Sequence, residues 1–124
     1  GRVGSLYWMA PEIYKKQFYN EKCDIWSFGI AILEMLTGDP PYYASRISKE
    51  EVVNKLTQGI IPIPKDIPHN MSSFIKKCLK ENPEERWTAK ELLAHPFLQE
   101  SVSLKYLIPA VKKCLTPVVI QETE

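Results

Sequence analysis

Apolar residues dominate one stretch of the chain, residues 21–38, and leave it without a polar face. A helix on a protein surface keeps a polar side, so a helix that is apolar all round is enclosed by other elements. The stretch therefore predicts a buried central helix, with Asn20 as its N-cap and Gly38 just past its end. Its apolar positions are Ile25, Trp26, Phe28, Ile30, Ala31, Ile32, Leu33, Met35 and Leu36. A membrane span is disfavoured, because Asp24 and Glu34 interrupt the stretch and a span needs about 20 apolar residues.

Capping residues and helical spacing predict shorter helices on both sides of the central one. Ser48 and Thr88 each precede a glutamate at the spacing of a capping box. Prolines recur through residues 60–68, which excludes both a helix and a central strand there. The predicted helices cover residues 11–15, 48–59, 70–79, 88–96 and 101–115. The predicted fold class is therefore mainly α, with five to six helices around a buried central helix and little or no sheet.

Length and composition are those of one ordinary globular domain. The 124 residues are 44% hydrophobic and 25% charged, with a net charge of +1. This balance implies no nucleic-acid partner and no membrane. Cys23, Cys78 and Cys114 are far apart and form no C-x-x-C pair, so we expect reduced thiols, no metal site and a cytoplasmic location. The chain starts at Gly1 in a loop-like run, which suggests the middle of a larger chain or a processed start.

Four charged residues need an explanation: Glu12, Asp24, Glu34 and Arg86. An arbitrary carboxylate is most often a surface charge, because charged residues are rarely fully buried. Asp24 differs, since it lies in the first turn of an otherwise apolar helix. We expect it to be enclosed there and to accept hydrogen bonds from backbone N–H groups, because a buried carboxylate without donors is strongly destabilising.

Five short motifs follow one another between residues 4 and 98. They are GSLYWMAPE at 4–12, DIWSFG at 24–29, GDPPY at 38–42, CLKENPEER at 78–86 and HPF at 95–97. In this order they resemble the C-terminal part of a eukaryotic serine/threonine protein kinase domain, and five ordered motifs make an accidental match very rare. The first motif and the tail from residue 104 to 115 are most similar to the sterile-20-like group, in particular its PAK-type branch.

The resemblance implies structural roles for several residues. In kinases the glutamate of A-P-E pairs with an arginine late in the C-lobe, which implies a buried ion pair between Glu12 and Arg86. Asp24 would hold the backbone of the catalytic loop. Trp26 and Gly29 belong to the same structural motif of the central helix.

The resemblance also implies a set of substrate-binding residues. Ser5 falls where serine/threonine kinases place a hydroxyl that contacts the catalytic residues. Leu6, Tyr7 and Trp8 would shape the pocket for the residue that follows the phosphoacceptor. Glu34 matches a carboxylate that faces a substrate arginine in basophilic kinases. The alternative for Glu34 is a helix-end carboxylate that meets a local lysine.

Other parts of a kinase are not found in these 124 residues. Kinase chemistry needs a Gly-rich loop, a phosphate-binding lysine, an H-R-D-x-x-x-x-N loop and a D-F-G aspartate, and none of these motifs occurs here. The resemblance therefore assigns no catalytic residue and no cofactor to this chain. ATP and Mg²⁺ would bind in the complete kinase. The predicted domains are residues 1–100, a partial kinase C-lobe without N-lobe or catalytic loop, and residues 101–124, a helical tail.

Two functions remain open. In the first, the chain is the substrate-binding part of a kinase C-lobe and is inactive alone, while the complete kinase phosphorylates Ser or Thr in protein substrates. The rest of the kinase domain would then be a partner. In the second, the chain is a non-enzymatic binding module, a kinase remnant that offers its 47–59 helix and its 5–8 loop to a protein or peptide.

Overall fold

The computed structural model describes residues 5–100 of the chain, and of Ser5 the backbone alone. Its elements are a 3₁₀ turn at Ser5–Tyr7 and the helices α1 Pro11–Tyr14, α2 Lys22–Thr37, α3 Lys49–Thr57, α4 His69–Cys78, α5 Ala89–Leu93 and α6 Pro96–Gln99. No strand occurs between residues 5 and 100, so the mainly α fold class is confirmed. No helix in this range combines the length and the apolar content needed to cross a membrane. The helix predicted at 101–115, and the tail of which it is part, lie outside the described residues.

The central helix α2 packs against α4 through a contact that leaves no room for a side chain. A Cβ atom built on Gly29 would lie 2.7 Å from Cβ of Cys78 and 2.8 Å from Cδ2 of Leu79. Carbon atoms in contact normally lie about 3.5–4.0 Å apart, so only glycine lets the two helices approach this closely. Phe28 reaches α4 through an edge-to-face contact with Phe74, with ring centroids 6.1 Å apart.

Burial is complete on one side of α2 and partial on the other. Its buried residues are Trp26, Gly29, Ile30, Ile32 and Leu33. The half-buried apolar residues are Ile25, Phe28, Ala31 and Met35. Leu36, near the C-terminal end, is 39% exposed. The expected enclosure by other elements is therefore found for one side of the helix, and residues 5–100 cover the other side only in part.

The helix ends agree with the local signals in the sequence. Gly38 follows α2 in the left-handed conformation, at a φ of 94°. The prediction of Asn20 as the N-cap is wrong by one residue, because the N-cap position is Glu21; the Asn20 side chain still accepts a hydrogen bond from the Lys22 N–H at 2.9 Å. Thr88 closes a complete capping box at the start of α5.

Two further signals in the sequence were a cap at Ser48 and a helix stop at Pro96, and the structure confirms the first fully and the second in part. Ser48 caps α3 by accepting from the Glu51 N–H at 3.1 Å. Pro96 was expected to stop a helix, and this is only half correct. The preceding helix α5 ends at Leu93, but Pro96 also opens α6, because His95 accepts a hydrogen bond from the Phe97 N–H and a proline fits the first helical position.

Candidate functional site

An arginine and a glutamate far apart in sequence form a buried, two-pronged ion pair. Arg86 Nη1 donates to Glu12 Oε2 at 2.7 Å, and Nη2 donates to Oε1 at 2.9 Å. Each residue is 1% exposed. Bonds of this fork geometry between two charged groups are shorter and stronger than neutral ones. The ion pair expected between Glu12 and Arg86 is therefore confirmed, and it joins α1 to the segment that precedes α5.

Backbone carbonyls satisfy the remaining donors of Arg86. Its Nε donates to the Lys80 carbonyl at 2.9 Å, Nη1 to that of Lys22 at 2.7 Å and Nη2 to that of Glu81 at 3.2 Å. Burial by itself raises the pKa of Glu12, but the hydrogen bonds and the positive charge of Arg86 outweigh it, and the pKa is lowered. The pair is therefore ionised at neutral pH, with its charges fully matched.

Trp26 lies beside this ion pair and is fully buried. The guanidinium carbon of Arg86 is 5.3 Å from the centroid of the indole ring, within the range of a cation–π contact. The Trp26 indole N–H finds no acceptor among residues 5–100. Trp26 thus contributes packing in the described structure, which agrees with the structural role implied for it.

The side chains of Trp8 and Glu34 meet across 26 residues of sequence. Trp8 Nε1 donates to Glu34 Oε2 at 3.0 Å, and the contact is partly buried. Ser27 Oγ donates to the Trp8 carbonyl at 2.7 Å, so α2 holds both the backbone and the ring of Trp8. The alternative that Glu34 meets a local lysine is wrong for residues 5–100, where the ion pairs are Lys15 with Glu81 and Arg86 with Glu12.

Two tyrosines extend this contact into an acidic–aromatic surface, which consists of Leu6, Tyr7, Trp8, Glu34 and Tyr43. The Tyr7 ring meets Trp8 edge to face at 6.3 Å and Tyr43 at 5.3 Å between centroids. Leu6, Tyr7, Trp8 and Glu34 are half-buried, whereas Tyr43 is 57% exposed. The structure thus joins three of the five predicted substrate-binding residues, Tyr7, Trp8 and Glu34, through observed contacts, and Leu6 lies in the same turn as Tyr7.

One predicted residue of this surface stays untested and another was missed. The side chain of Ser5 lies outside the described atoms, so its contact with catalytic residues stays a prediction. Tyr43 was not predicted as a site residue. Its signal in the sequence is the aromatic pair that it forms with Tyr42 directly after the GDPP run.

The expectation for Asp24 is wrong in the described structure. Asp24 is exposed, not enclosed. Its carboxylate contacts only the Cys23 thiol, at 3.9 Å, among residues 5–100. The physical reason is its place in the first turn of α2, on a side that residues 5–100 leave open to solvent. The role of holding a catalytic loop therefore stays a prediction.

His95 and Trp87 pack together at the end of the fold. His95 Nδ1 accepts from the Phe97 N–H at 3.0 Å, which places the ring proton on Nε2, 3.1 Å from Ser73 Oγ. Burial lowers the pKa of His95, and the charge of Lys77 lowers it further. The Trp87 ring meets that of His95 edge to face at 5.6 Å, and Lys77 Nζ lies 5.2 Å from its centroid. These contacts pack the C-terminal helices and leave His95 neutral at physiological pH.

Two observations on the described residues bear on cofactor binding. Between residues 5 and 100, no three His, Cys, Asp or Glu side chains are grouped so as to hold a metal. A cavity of about 530 Å³ beside the end of α2 is lined mainly by prolines and apolar side chains, with Asp39 as its charged residue. The triphosphate of ATP is bound by cations or by a cradle of backbone N–H groups, and not by a lining of this kind.

The cysteines give no reactive nucleophile in this part of the chain. Burial raises the pKa of Cys78 to about 12, and it also raises the pKa of Cys23, with a smaller contribution from Asp24. A thiol reacts as the thiolate, so neither is reactive at neutral pH. Cys114 lies outside the described residues.

Comparison with known proteins agrees with these motifs and their geometry. A family model described as "Protein kinase domain" matches residues 1–98. The chain belongs to the protein kinase domain family. It is 42% identical over 113 residues to the serine/threonine-protein kinase max-2 of Caenorhabditis elegans. It is 40% identical over 117 residues to pakG of Dictyostelium discoideum, and 37% identical over 111 residues to shk1/pak1 of Schizosaccharomyces pombe.

These similarities cover most of this kinase chain but little of each relative. The aligned part is 89% of the chain for max-2 and for shk1/pak1, and 91% for pakG. The chain spans only 17% of max-2, 10% of pakG and 17% of shk1/pak1. The similarity to sterile-20 and PAK-type kinases is therefore confirmed for this portion of a kinase domain.

Proposed function

We propose that the acidic–aromatic surface is part of the substrate-binding face of a serine/threonine protein kinase. In the complete kinase, the γ-phosphoryl group of ATP would pass to a Ser or Thr hydroxyl of a protein substrate. ATP and Mg²⁺ would be held by residues outside this chain. The observation that carries the proposal is the contact between Trp8 and Glu34, which sets a carboxylate of the central helix beside an aromatic turn.

The negative charge of Glu34 favours binding of a positively charged group. Its side chain is half-buried, and among residues 5–100 it has a neutral indole donor but no cation. A partly buried carboxylate gains from an opposite charge, because the local dielectric is lower than that of water. A basic side chain of a substrate would supply this charge, while Tyr7, Trp8 and Tyr43 would contact its apolar parts.

Equilibrium binding of short peptides tests this proposal. Serine peptides that carry one arginine at varied positions are titrated against the 124-residue chain and followed by fluorescence anisotropy. We expect at least one position at which arginine strengthens binding, and Glu34→Gln to weaken binding of that peptide by about tenfold, the order expected for a bond to a charged group. Glu50→Gln is the matched control, because Glu50 is exposed in the first turn of α3. Equal effects of the two substitutions would refute the proposal.

We propose further that these 124 residues by themselves do not transfer phosphate. No three His, Cys, Asp or Glu side chains of residues 5–100 are grouped so as to hold a metal, and the cavity beside the end of α2 has Asp39 as its charged residue. The Gly-rich, H-R-D and D-F-G motifs are not found in the sequence. A titration with ATP–Mg²⁺ by calorimetry, together with a phosphorylation assay on a serine peptide, tests this. We expect no heat of binding and no turnover. Turnover that disappears on Glu34→Gln would contradict the proposal.

Location is the third part of the proposal. Cys23 and Cys78 are free thiols, and unpaired cysteines are typical of a reducing compartment. A cytoplasmic location therefore remains our expectation for the protein. Fractionation of cells that express the tagged full-length protein tests it, and recovery in a secreted fraction would contradict it.

A further inference from the structure

We propose that the cavity beside the end of α2 is a second binding site for the same protein substrate, and that it takes a segment with a basic residue next to a large apolar one. The chemistry that selects this segment is an apolar, acceptor-rich lining that includes the carboxylate of Asp39. The inference rests on the proposed function, because it extends the substrate-binding face by a second site. The two are separable by experiment, since Glu34 tests the first site and the cavity residues test the second.

The size and the walls of the cavity suit an apolar side chain. Its volume is about 530 Å³, within the range of roughly 300–1,000 Å³ that is usual for ligand sites. Leu33 of α2, Pro40 and Pro41 of the turn that follows, and Pro62 and Ile63 of the proline-rich segment supply apolar lining. An apolar side chain of a ligand gains free energy when it leaves water for such a lining.

The lining of the cavity is richer in acceptors than in donors. Four of its residues are prolines, which have no backbone N–H. The hydroxyl of Thr37 already donates to the Leu33 carbonyl, and that of Tyr42 donates to the Ile60 carbonyl. The carboxylate of Asp39 has no cation partner among residues 5–100. A basic side chain therefore matches the cavity, whereas an anionic one would meet the charge of Asp39 with few donors to offset it.

Hydrogen bonds fix the walls of the cavity before a ligand binds. Tyr42 has a φ of 68°, in the left-handed region that a bulky residue rarely adopts. The Tyr43 N–H holds this turn by donating to the Pro40 carbonyl at 3.1 Å, and the Tyr42 hydroxyl ties it to the proline-rich segment at Ile60. Prolines restrict the backbone on both sides further. A preformed cavity loses little entropy on binding, which favours a ligand of defined shape.

The cavity adjoins the acidic–aromatic surface at two points of the chain. Leu33 lines the cavity, and the next residue, Glu34, belongs to the surface. Tyr42 lines the cavity, and the next residue, Tyr43, belongs to the surface. Sites on consecutive residues are on the order of 10–15 Å apart, which about three to five extended residues span. One substrate chain therefore reaches both sites, and binding at the first raises the effective concentration of the segment for the second.

Extended peptides test the second site by fluorescence anisotropy with the 124-residue chain. The arginine peptide found for the proposed site is lengthened at either end by a flexible spacer of about two to eight Gly and Ser residues, followed by Leu-Lys, Leu-Glu or Ser-Ser. We expect Leu-Lys to strengthen binding by about tenfold at one end and one spacer length, through effective concentration. Leu-Glu should gain less, and Ser-Ser should gain nothing. Leu-Lys extensions that never strengthen binding would overturn the inference and leave the proposed function standing.

Substitutions in the cavity show where the extension binds. Ala44 is exposed on the rim, so Ala44→Trp fills the space without entering the core and should abolish the gain. Asp39→Asn should reduce the gain of Leu-Lys by about threefold, the order expected for an exposed ion pair, and should strengthen binding of the Leu-Glu peptide. Glu85→Gln removes an exposed carboxylate elsewhere and is the matched control. A gain that survives Ala44→Trp, or that Glu85→Gln reduces as much as Asp39→Asn does, would overturn the inference.

Methyl signals of Leu33 and Ile63 report directly on what occupies the cavity. In a methyl-labelled chain, the Leu-Lys peptide should shift both signals, and the unextended arginine peptide should shift neither. Shifts that depend on chain concentration without peptide would show a second copy of the chain in the cavity and would overturn the inference. Nuclear Overhauser contacts from these methyl groups to residues 101–124 in the free chain would overturn it too, because the occupant would be the chain's own tail.

Glu34→Gln separates this inference from the proposed function. It should weaken binding of the unextended and the extended peptides by the same factor, so that the gain from Leu-Lys stays unchanged. An unextended peptide whose binding is unaffected by Glu34→Gln would overturn the proposed function itself.

Discussion

Replacing Glu12 by glutamine removes one charge from the buried ion pair and keeps the shape of the side chain. The Arg86 guanidinium would stay 1% exposed, with its three carbonyl partners at 2.7–3.2 Å but without its carboxylate. Removing one partner of a buried pair typically costs about 3–5 kcal/mol. The surviving carbonyls still solvate part of the charge, so we expect Glu12→Gln to lower the free energy of unfolding by about 3 kcal/mol, the low end of that range.

Replacing the arginine instead leaves more groups unpaired. Arg86→Met strands the Glu12 carboxylate and frees the three backbone carbonyls that Arg86 satisfies. Its cost should therefore reach about 5 kcal/mol, the high end for a broken buried pair. The double variant should cost less than the sum of the two, because each single substitution leaves a buried charge that the other one removes.

Urea unfolding followed by far-UV circular dichroism measures these differences. The exposed pair of Lys15 and Glu81, at 2.7 Å, is the matched control. Lys15→Met should cost less than about 1 kcal/mol, because exposed ion pairs contribute little. If Glu12→Gln cost no more than Lys15→Met, or if the double variant were strictly additive, the reasoning about the buried pair would be refuted.

Three further predictions concern packing, pH and capping. Gly29→Ala should destabilise the fold by about 1–3 kcal/mol through overpacking, although alanine favours a helix. Adding Cys78→Ala should not restore the stability, because the clash at 2.7 Å is with the Cβ atom that alanine keeps. Restored stability of the double variant in urea unfolding would contradict this. Burial lowers the pKa of His95 below its ordinary 6.5, so the unfolded chain binds more protons than the folded one below about pH 6.5. Melting temperatures should therefore fall as the pH drops from about 7.5 to about 5. His95→Gln should flatten this dependence, and an unchanged slope would exclude His95 as its origin. Thr88→Ala should cost about 1 kcal/mol through loss of the cap of α5, and an unchanged urea midpoint would show that the cap does not contribute.

Local signals in the sequence predicted the helix ends well. Gly38, Ser48 and Thr88 act through their own φ angle or through a hydrogen bond within a few residues, so nearby sequence is enough to recognise them. The same reasoning failed where two signals coincide. Pro96 both follows α5 and opens α6, and the pattern alone does not show that His95 supplies a cap.

Contacts between distant residues needed either the family resemblance or the structure. The pairing of Glu12 with Arg86 follows from the order of the kinase motifs and not from periodicity. Glu34 was assigned to a substrate by that resemblance, but its bond to Trp8 depends on where the 3₁₀ turn crosses α2, which no local pattern encodes. The prediction that Asp24 is enclosed was wrong for a similar reason. Its exposure depends on what packs around the start of α2 and not on its apolar neighbours in the sequence.

A map of where a peptide touches the chain is the most direct test of the substrate-binding surface. Amide and indole chemical shifts of the ¹⁵N-labelled chain are recorded while the preferred arginine peptide is added. The account predicts that the shifts concentrate at Tyr7, Trp8, Glu34 and Tyr43. Shifts that concentrate instead along the proline-lined cavity, at residues 39–42, 44–45 and 62–64, or that spread evenly over the chain, would contradict it.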